Sequence, residues 1–188
     1  MGIVRRQSIK TTIIFGAGIA LGYLNIIILL PYCLSPDEIG LLRVLQGAAT
    51  IFSIFIPFGF EKVIVRYFPQ FEDKEKKHHG FFIFIMLFPL LCYLIFTLLF
   101  FIFQDVIIDI YKDKSPLFTE FVLFLLPLTF FMMYINLLSA YMQSHLRTVP
   151  GIFVKQILIR GGIIISVLIY FFEFVDLYGF ITCVTLTY

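Results

Sequence analysis

Residues 80–103 read GFFIFIMLFPLLCYLIFTLLFFIF, a run of 24 positions without one charged side chain. A helix of that length spans about 36 Å, more than the roughly 30 Å of bilayer hydrocarbon. Lipid offers no partner to a bare amide, so such a run crosses as a helix that satisfies its own backbone. Similar stretches lie on either side. The first span runs from Thr11 to about Pro31. The second opens at Ser35-Pro36-Asp37-Glu38, a capping box with proline at the first helical position, and reaches about Phe60. The fourth covers Phe118 to about Tyr141 and the fifth about Pro150 to Phe172. A sixth stretch, 174–188, is too short to cross and reads as an unfinished helix. The fold class expected is all-α, a polytopic transmembrane helical bundle. No internal repeat or linker divides the chain, so 1–188 reads as one domain.

Composition supports the same class. Hydrophobic residues make up 61% of the chain and charged residues 14%, against about 25% charged in soluble domains, which excludes a water-soluble core. With 25 Phe and no Trp, tyrosine is left to serve at the interfaces. The net charge of +2 is too small to imply a nucleic-acid partner, but its distribution is informative. Of the 14 Lys and Arg, 11 fall on one side of the bundle: Arg5, Arg6 and Lys10 in the tail, Lys62, Arg66, Lys74, Lys76 and Lys77 after the second span, and Arg147, Lys155 and Arg160 around the start of the fifth. Lys112 and Lys114 lie opposite, and Arg43 is within a span. The positive-inside rule then places the N-terminus in the cytoplasm. The first apolar stretch is too long for the core of a cleavable signal and lacks a cleavage pattern, so it reads as an uncleaved span. Cys33, Cys92 and Cys183 lie far apart, without disulfide or metal spacing, and read as packing thiols. No cofactor motif is present. Phe71 to His79 reads as a solvated loop; its basic residues also fit anionic lipid, and His78-His79 lacks the further ligands a metal needs.

The spans differ in polarity. Gly80 to Phe103 has no polar face and is expected to look at lipid. In the second span Arg43, Gln46, Thr50, Ser53 and Pro57 recur at three- and four-residue steps, on one side of a helix. The fourth repeats this with Thr129, Asn136, Ser139 and Gln143, and the first carries Gly18, Gly22 and Asn25. Gly18 and Gly22 have GxxxG spacing and read as a close-packing seam. No strand precedes Gly16 and Gly18, so a dinucleotide loop is excluded. Asn25 and Asn136 fit either interhelical packing or cavity lining.

Arg43 stands seven residues past Pro36, about 10 Å into its helix. A charge at that depth needs water or a partner. It either faces a central cavity or reaches outward to Asp37 or Glu38. Lys155 and Arg160 either line the same cavity or reach the headgroups. No Asp or Glu lies mid-span. A cation-exporting antiporter normally needs a buried carboxylate there. A buried arginine instead suits an anionic cargo, a lipid-linked phosphate or pyrophosphate, through charge-assisted bonds. Asp105, Asp109, Asp113 and Glu120, beside Lys112 and Lys114, read as a solvated loop rather than an acid/base cluster of a membrane enzyme.

The order of these features resembles the polysaccharide and oligosaccharide flippases of the multidrug/oligosaccharidyl-lipid/polysaccharide superfamily. The basic tail Arg5-Arg6-Gln7-Ser8-Ile9-Lys10 leads into a glycine-bearing span. Leu34-Ser35-Pro36-Asp37-Glu38-Ile39-Gly40 and Leu41-Leu42-Arg43 follow, then Phe58-Gly59-Phe60, Val65-Arg66-Tyr67-Phe68-Pro69 and Tyr141-Met142-Gln143-Ser144 with Arg147. The resemblance implies two six-helix lobes around a cavity that opens alternately to either side. This chain would supply the first lobe with its last helix unfinished, completed by a second lobe or a second copy. The implied cargo is a polyprenyl-(pyro)phosphate-linked oligosaccharide moved across a bacterial inner membrane, with no catalytic residue, metal or cofactor. The implied substrate-binding residues are Arg43, Gln46, Asn25, Asn136, Lys155 and Arg160. A multidrug antiporter of the same superfamily, a membrane enzyme of polysaccharide synthesis and a non-transporting scaffold are the alternatives.

Overall fold

The computed structural model describes residues 2–71, 81–111, 115–145 and 148–188. Among them the chain is helical almost throughout and forms no strand. Five helices are long and apolar enough to cross a membrane: Gln7–Cys33, Pro36–Phe55, Phe81–Asp109, Pro116–Ser144 and Thr148–Phe171. The chain is a polytopic all-α bundle. His78, His79 and the lysines at 74, 76, 77, 112 and 114, with Asp113 and Arg147, lie outside the described residues.

The first span joins α1 (Gly2–Tyr23) through a π-helical segment (Leu24–Leu29) to α2 (Leu30–Cys33), so it starts earlier than its apolar run. The second span is α3 (Pro36–Phe55). Its start is the capping box read from the sequence: the Ser35 amide donates to Glu38 Oε2 at 2.7 Å, and the Glu38 amide donates to Ser35 Oγ at 3.4 Å. The far end of Glu38 accepts from Tyr170 Oη at 2.5 Å, tying the start of the second span to the end of the fifth.

α3 stops five residues before the expected Phe60. Pro57 has no amide to continue the ladder, and its ring crowds the preceding turn. Phe58 (φ 50°) and Gly59 (φ 72°) then take the left-handed conformation that closes helices, unusual for an aromatic residue. A separate helix follows, α4 (Phe60–Phe71), where the apolar runs alone indicate a loop. Its physical basis is visible in the spacing: Phe60, Ile64 and Phe68 stand four apart and are all buried, while Lys62 and Arg66 lie exposed between them.

α5 (Phe81–Tyr111) carries the third span well past Phe103. Asp105 and Asp109 therefore sit on a helix rather than in a loop, and Glu120 belongs to the short α6 (Pro116–Phe121). A 3-10 turn (Val122–Phe124) links α6 to α7 (Leu125–Ser144). The fifth span is α8 (Thr148–Phe153), a second π-helical segment (Val154–Leu158) and α9 (Ile159–Phe171). After a turn containing Glu173 (φ 58°), α10 (Leu177–Thr187) folds back onto α9.

α7 is the hub. It packs against α3, α4 and α8, and its residues enter both apolar cores. One core gathers Leu45, Leu128, Val167 and Phe180 from the second, fourth, fifth and last helices. The other sets Ile64 and Phe68 of α4 against Met133 and Leu137 of α7 and Ile85 of α5. The third span stays at the rim. Two phenols strap it to the fourth: Tyr93 Oη donates to the Leu126 carbonyl at 2.9 Å, and Tyr134 Oη donates to the Met86 carbonyl at 2.8 Å.

Candidate substrate cavity

Where the first, second, fourth and fifth spans meet, they enclose an open cavity of about 470 Å³. The first, second and fourth contribute the faces carrying their polar or small stripes, and the fifth contributes Lys155 and Arg160. The first span, mostly exposed, buries Gly18, Gly22 and Asn25. A Cβ on Gly18 would lie 2.8 Å from Gln156 Cβ, and one on Gly22 would collide with the Arg160 guanidinium. The GxxxG spacing therefore makes a seam, as its spacing implies, and the seam accommodates side chains of the fifth span. Arg160 lies along it, its Nη1 donating to the Gly18 carbonyl.

All six residues singled out from the sequence line this one cavity: Asn25, Arg43, Gln46, Asn136, Lys155 and Arg160. Arg43 faces it from α3; Glu38, one of its alternative partners, is instead engaged by Ser35 and Tyr170. Lys155 Nζ donates to Asn136 Oδ1 at 2.6 Å, and Asn136 Nδ2 donates to Ser53 Oγ at 3.5 Å. Ser53 Oγ in turn donates to the Thr50 carbonyl at 2.8 Å. One polar chain thus crosses the fifth, fourth and second spans. Asn136 both packs and lines the cavity, so the two readings of it coincide.

Asn25 is only 6% exposed, and its Oδ1 has no hydrogen-bond partner among the described residues; the same holds for Gln46 Nε2. An orphaned buried amide costs free energy that a ligand's hydrogen bond would recover. The cavity lining contains three cationic side chains and no carboxylate. Coulomb attraction in such a low-dielectric hollow favours an anion strongly over a cation.

Sequence reasoning did not anticipate two contributions. Asn25 and Lys155 each sit in a π-helical segment, where the wider turn re-aims side chains; such segments recur at functional sites. Tyr188 and Met132 also reach the cavity wall, Met132 accepting through Sδ from Thr50 Oγ1 at 3.7 Å. Nothing in their sequence surroundings marks them out. Thr129, by contrast, belongs to the polar stripe of the fourth span and is wholly buried in the core, away from the cavity lining.

A family model described as polysaccharide biosynthesis protein matches residues 6–187. No curated protein and no solved structure matches the chain.

Proposed function

Because the chain belongs to the polysaccharide biosynthesis protein family, whose members act as membrane flippases or transporters in polysaccharide synthesis, we propose that it serves a flippase for polyprenyl-(pyro)phosphate-linked oligosaccharide. The repeat unit would pass from the cytoplasmic to the outer leaflet of a bacterial inner membrane, with the N-terminus in the cytoplasm. Together with a second lobe or a second copy, the cavity would open to each side in turn. No covalent chemistry is required of the protein.

The observation that supports this reading is the cavity's charge: Arg43, Lys155 and Arg160 around one hollow with no acid in its wall. A phosphate or pyrophosphate is the ligand that such a set recognises, arginine by paired hydrogen bonds and lysine as a mobile point charge. The amides of Asn25, Gln46 and Asn136 offer donors and acceptors to sugar hydroxyls beside it. Arg43 is the leading phosphate contact, since Arg160 already spends one donor on Gly18 and Lys155 one on Asn136. A cation-coupled antiporter is disfavoured by the same wall.

The test is Arg43→Ala in cells that depend on this protein for polymer export. Export should be lost while membrane insertion and protein level stay unchanged, and Arg43→Lys should restore part of it. Normal export from Arg43→Ala would sink the assignment.

A further inference from the structure

A second hollow, of about 400 Å³, adjoins the central cavity and shares two wall residues with it, Asn136 and Lys155. Its opposite wall is α4, which contributes Glu61, Lys62 and Arg66. Gln143, one helical step past Ser139, continues the polar stripe of the fourth span through it. The stripe thus runs unbroken from the central cavity into the second hollow. In the sequence Lys62 and Arg66 count toward membrane orientation, and Arg66 toward the family resemblance, but neither toward a binding site. In the fold, the break at Pro57 to Gly59 and the burial of Ile64 and Phe68 bring them beside Lys155.

We propose that this second hollow is an anion-binding vestibule, where a phosphate-bearing headgroup docks before Lys155 passes it to Arg43 and Arg160. Lys62, Arg66 and Lys155 outnumber the single carboxylate, Glu61. Lys155 belongs to both hollows, so an anion moves from one to the other without leaving its reach. Glu61 acts as a built-in competitor: it partly neutralises the cations while the vestibule is empty and keeps a docked phosphate from binding too tightly to move on. Only the order of events rests on the flippase reading; the anion site stands on the geometry of α4.

The experiment is calorimetric titration of the full chain in detergent with two probes, farnesyl pyrophosphate and inorganic pyrophosphate. Three variant sets are compared: Arg43→Gln with Arg160→Gln, Lys62→Gln with Arg66→Gln, and Glu61→Gln. The first set should leave a weaker site, and adding Lys62→Gln and Arg66→Gln should weaken it further by about tenfold, the scale that two exposed charges together reach. Glu61→Gln should tighten binding by roughly threefold, a sign that a merely structural carboxylate would not produce. All three α4 residues are at least partly exposed, so thermal melts should be unchanged. Equal binding of both probes would identify a site for the free anion; binding of farnesyl pyrophosphate alone would identify a lipid headgroup site. Binding indifferent to Lys62 and Arg66, or lost entirely with Arg43 and Arg160, overturns the vestibule and leaves the flippase reading standing. An unaltered chain that binds neither probe overturns both.

Discussion

The third and fourth spans are equally long, 29 residues each, and nearly equally apolar, with mean hydropathies of 2.7 and 2.2 over their most apolar 18 residues. They occupy opposite positions. Only 11% of the third span's most apolar window is buried in the protein, against 50% for the fourth. Hydropathy therefore reports that a helix crosses and says little about where it stands in the bundle. Position follows from what interrupts the apolar run. Up to Phe103 the third has Pro89 and Thr97 and little else; the fourth carries Thr129, Asn136, Ser139 and Gln143 along one side, and the second span, α4 and the start of the fifth pack against it. In lipid, apolar surface is no reason for two helices to associate, so close packing and hydrogen bonds decide which helix becomes the hub.

The strongest way to break this contrast is a matched pair of truncations. Leu137 on the fourth span is fully buried, and Leu94 on the third is 53% exposed. Leu137→Ala should cost about 2–5 kcal/mol through the cavity it leaves. Leu94→Ala should cost less than about 0.5 kcal/mol, as for other changes away from packed sites. Reversible unfolding in mixed micelles measures both; equal costs would mean that the two helices are not distinguished as described.

A smaller effect tests the same inside-outside difference within one helix. Gly18 meets Gln156, and Gly16 has open space where its Cβ would be. Gly18→Val should destabilise by about 1–3 kcal/mol, the usual cost of overpacking. Gly16→Ala should be neutral or slightly stabilising, because alanine has the better helix propensity. A melt in which both variants behave alike would remove the seam.

The smallest predicted effect concerns the polar stripe that the third span lacks. A double-mutant cycle on Asn136→Ala and Lys155→Ala should give a coupling of about 1–2 kcal/mol. That is toward the upper end for interhelical bonds in membranes, because this one is charge-assisted and short at 2.6 Å. A coupling near zero would mean that Asn136 does not hold Lys155 in place.

Much of the candidate site was legible before folding. Three- and four-residue spacing put Arg43, Gln46, Thr50 and Ser53 on one face, and all four line the cavity. The GxxxG spacing marked the buried edge of the first span. Charge sign alone pointed toward an anionic ligand. The helix ends were less legible. α4 was hidden because its twelve residues mix cations with apolar groups and resemble a basic loop until the four-residue period of Phe60, Ile64 and Phe68 is followed. The extension of the third span through Asp105 and Asp109 was obscured by those same charges, which tolerate a helix end as readily as a loop.

The sequence by itself determined that this chain crosses a membrane several times as helices, because uncharged runs of twenty or more residues leave the backbone no other way to satisfy its amides in lipid. It also determined which side of the first, second and fourth spans is polar or small, since helical period is a local property. Tertiary structure alone decided that those sides face one another. The two π-helical segments and the passage of Arg160 along Gly18 and Gly22 bring residues more than a hundred positions apart into one hollow, and the break at Pro57 to Gly59 sets α4 against a second. Such distant contacts depend on how helices pack, and no window of sequence contains both partners.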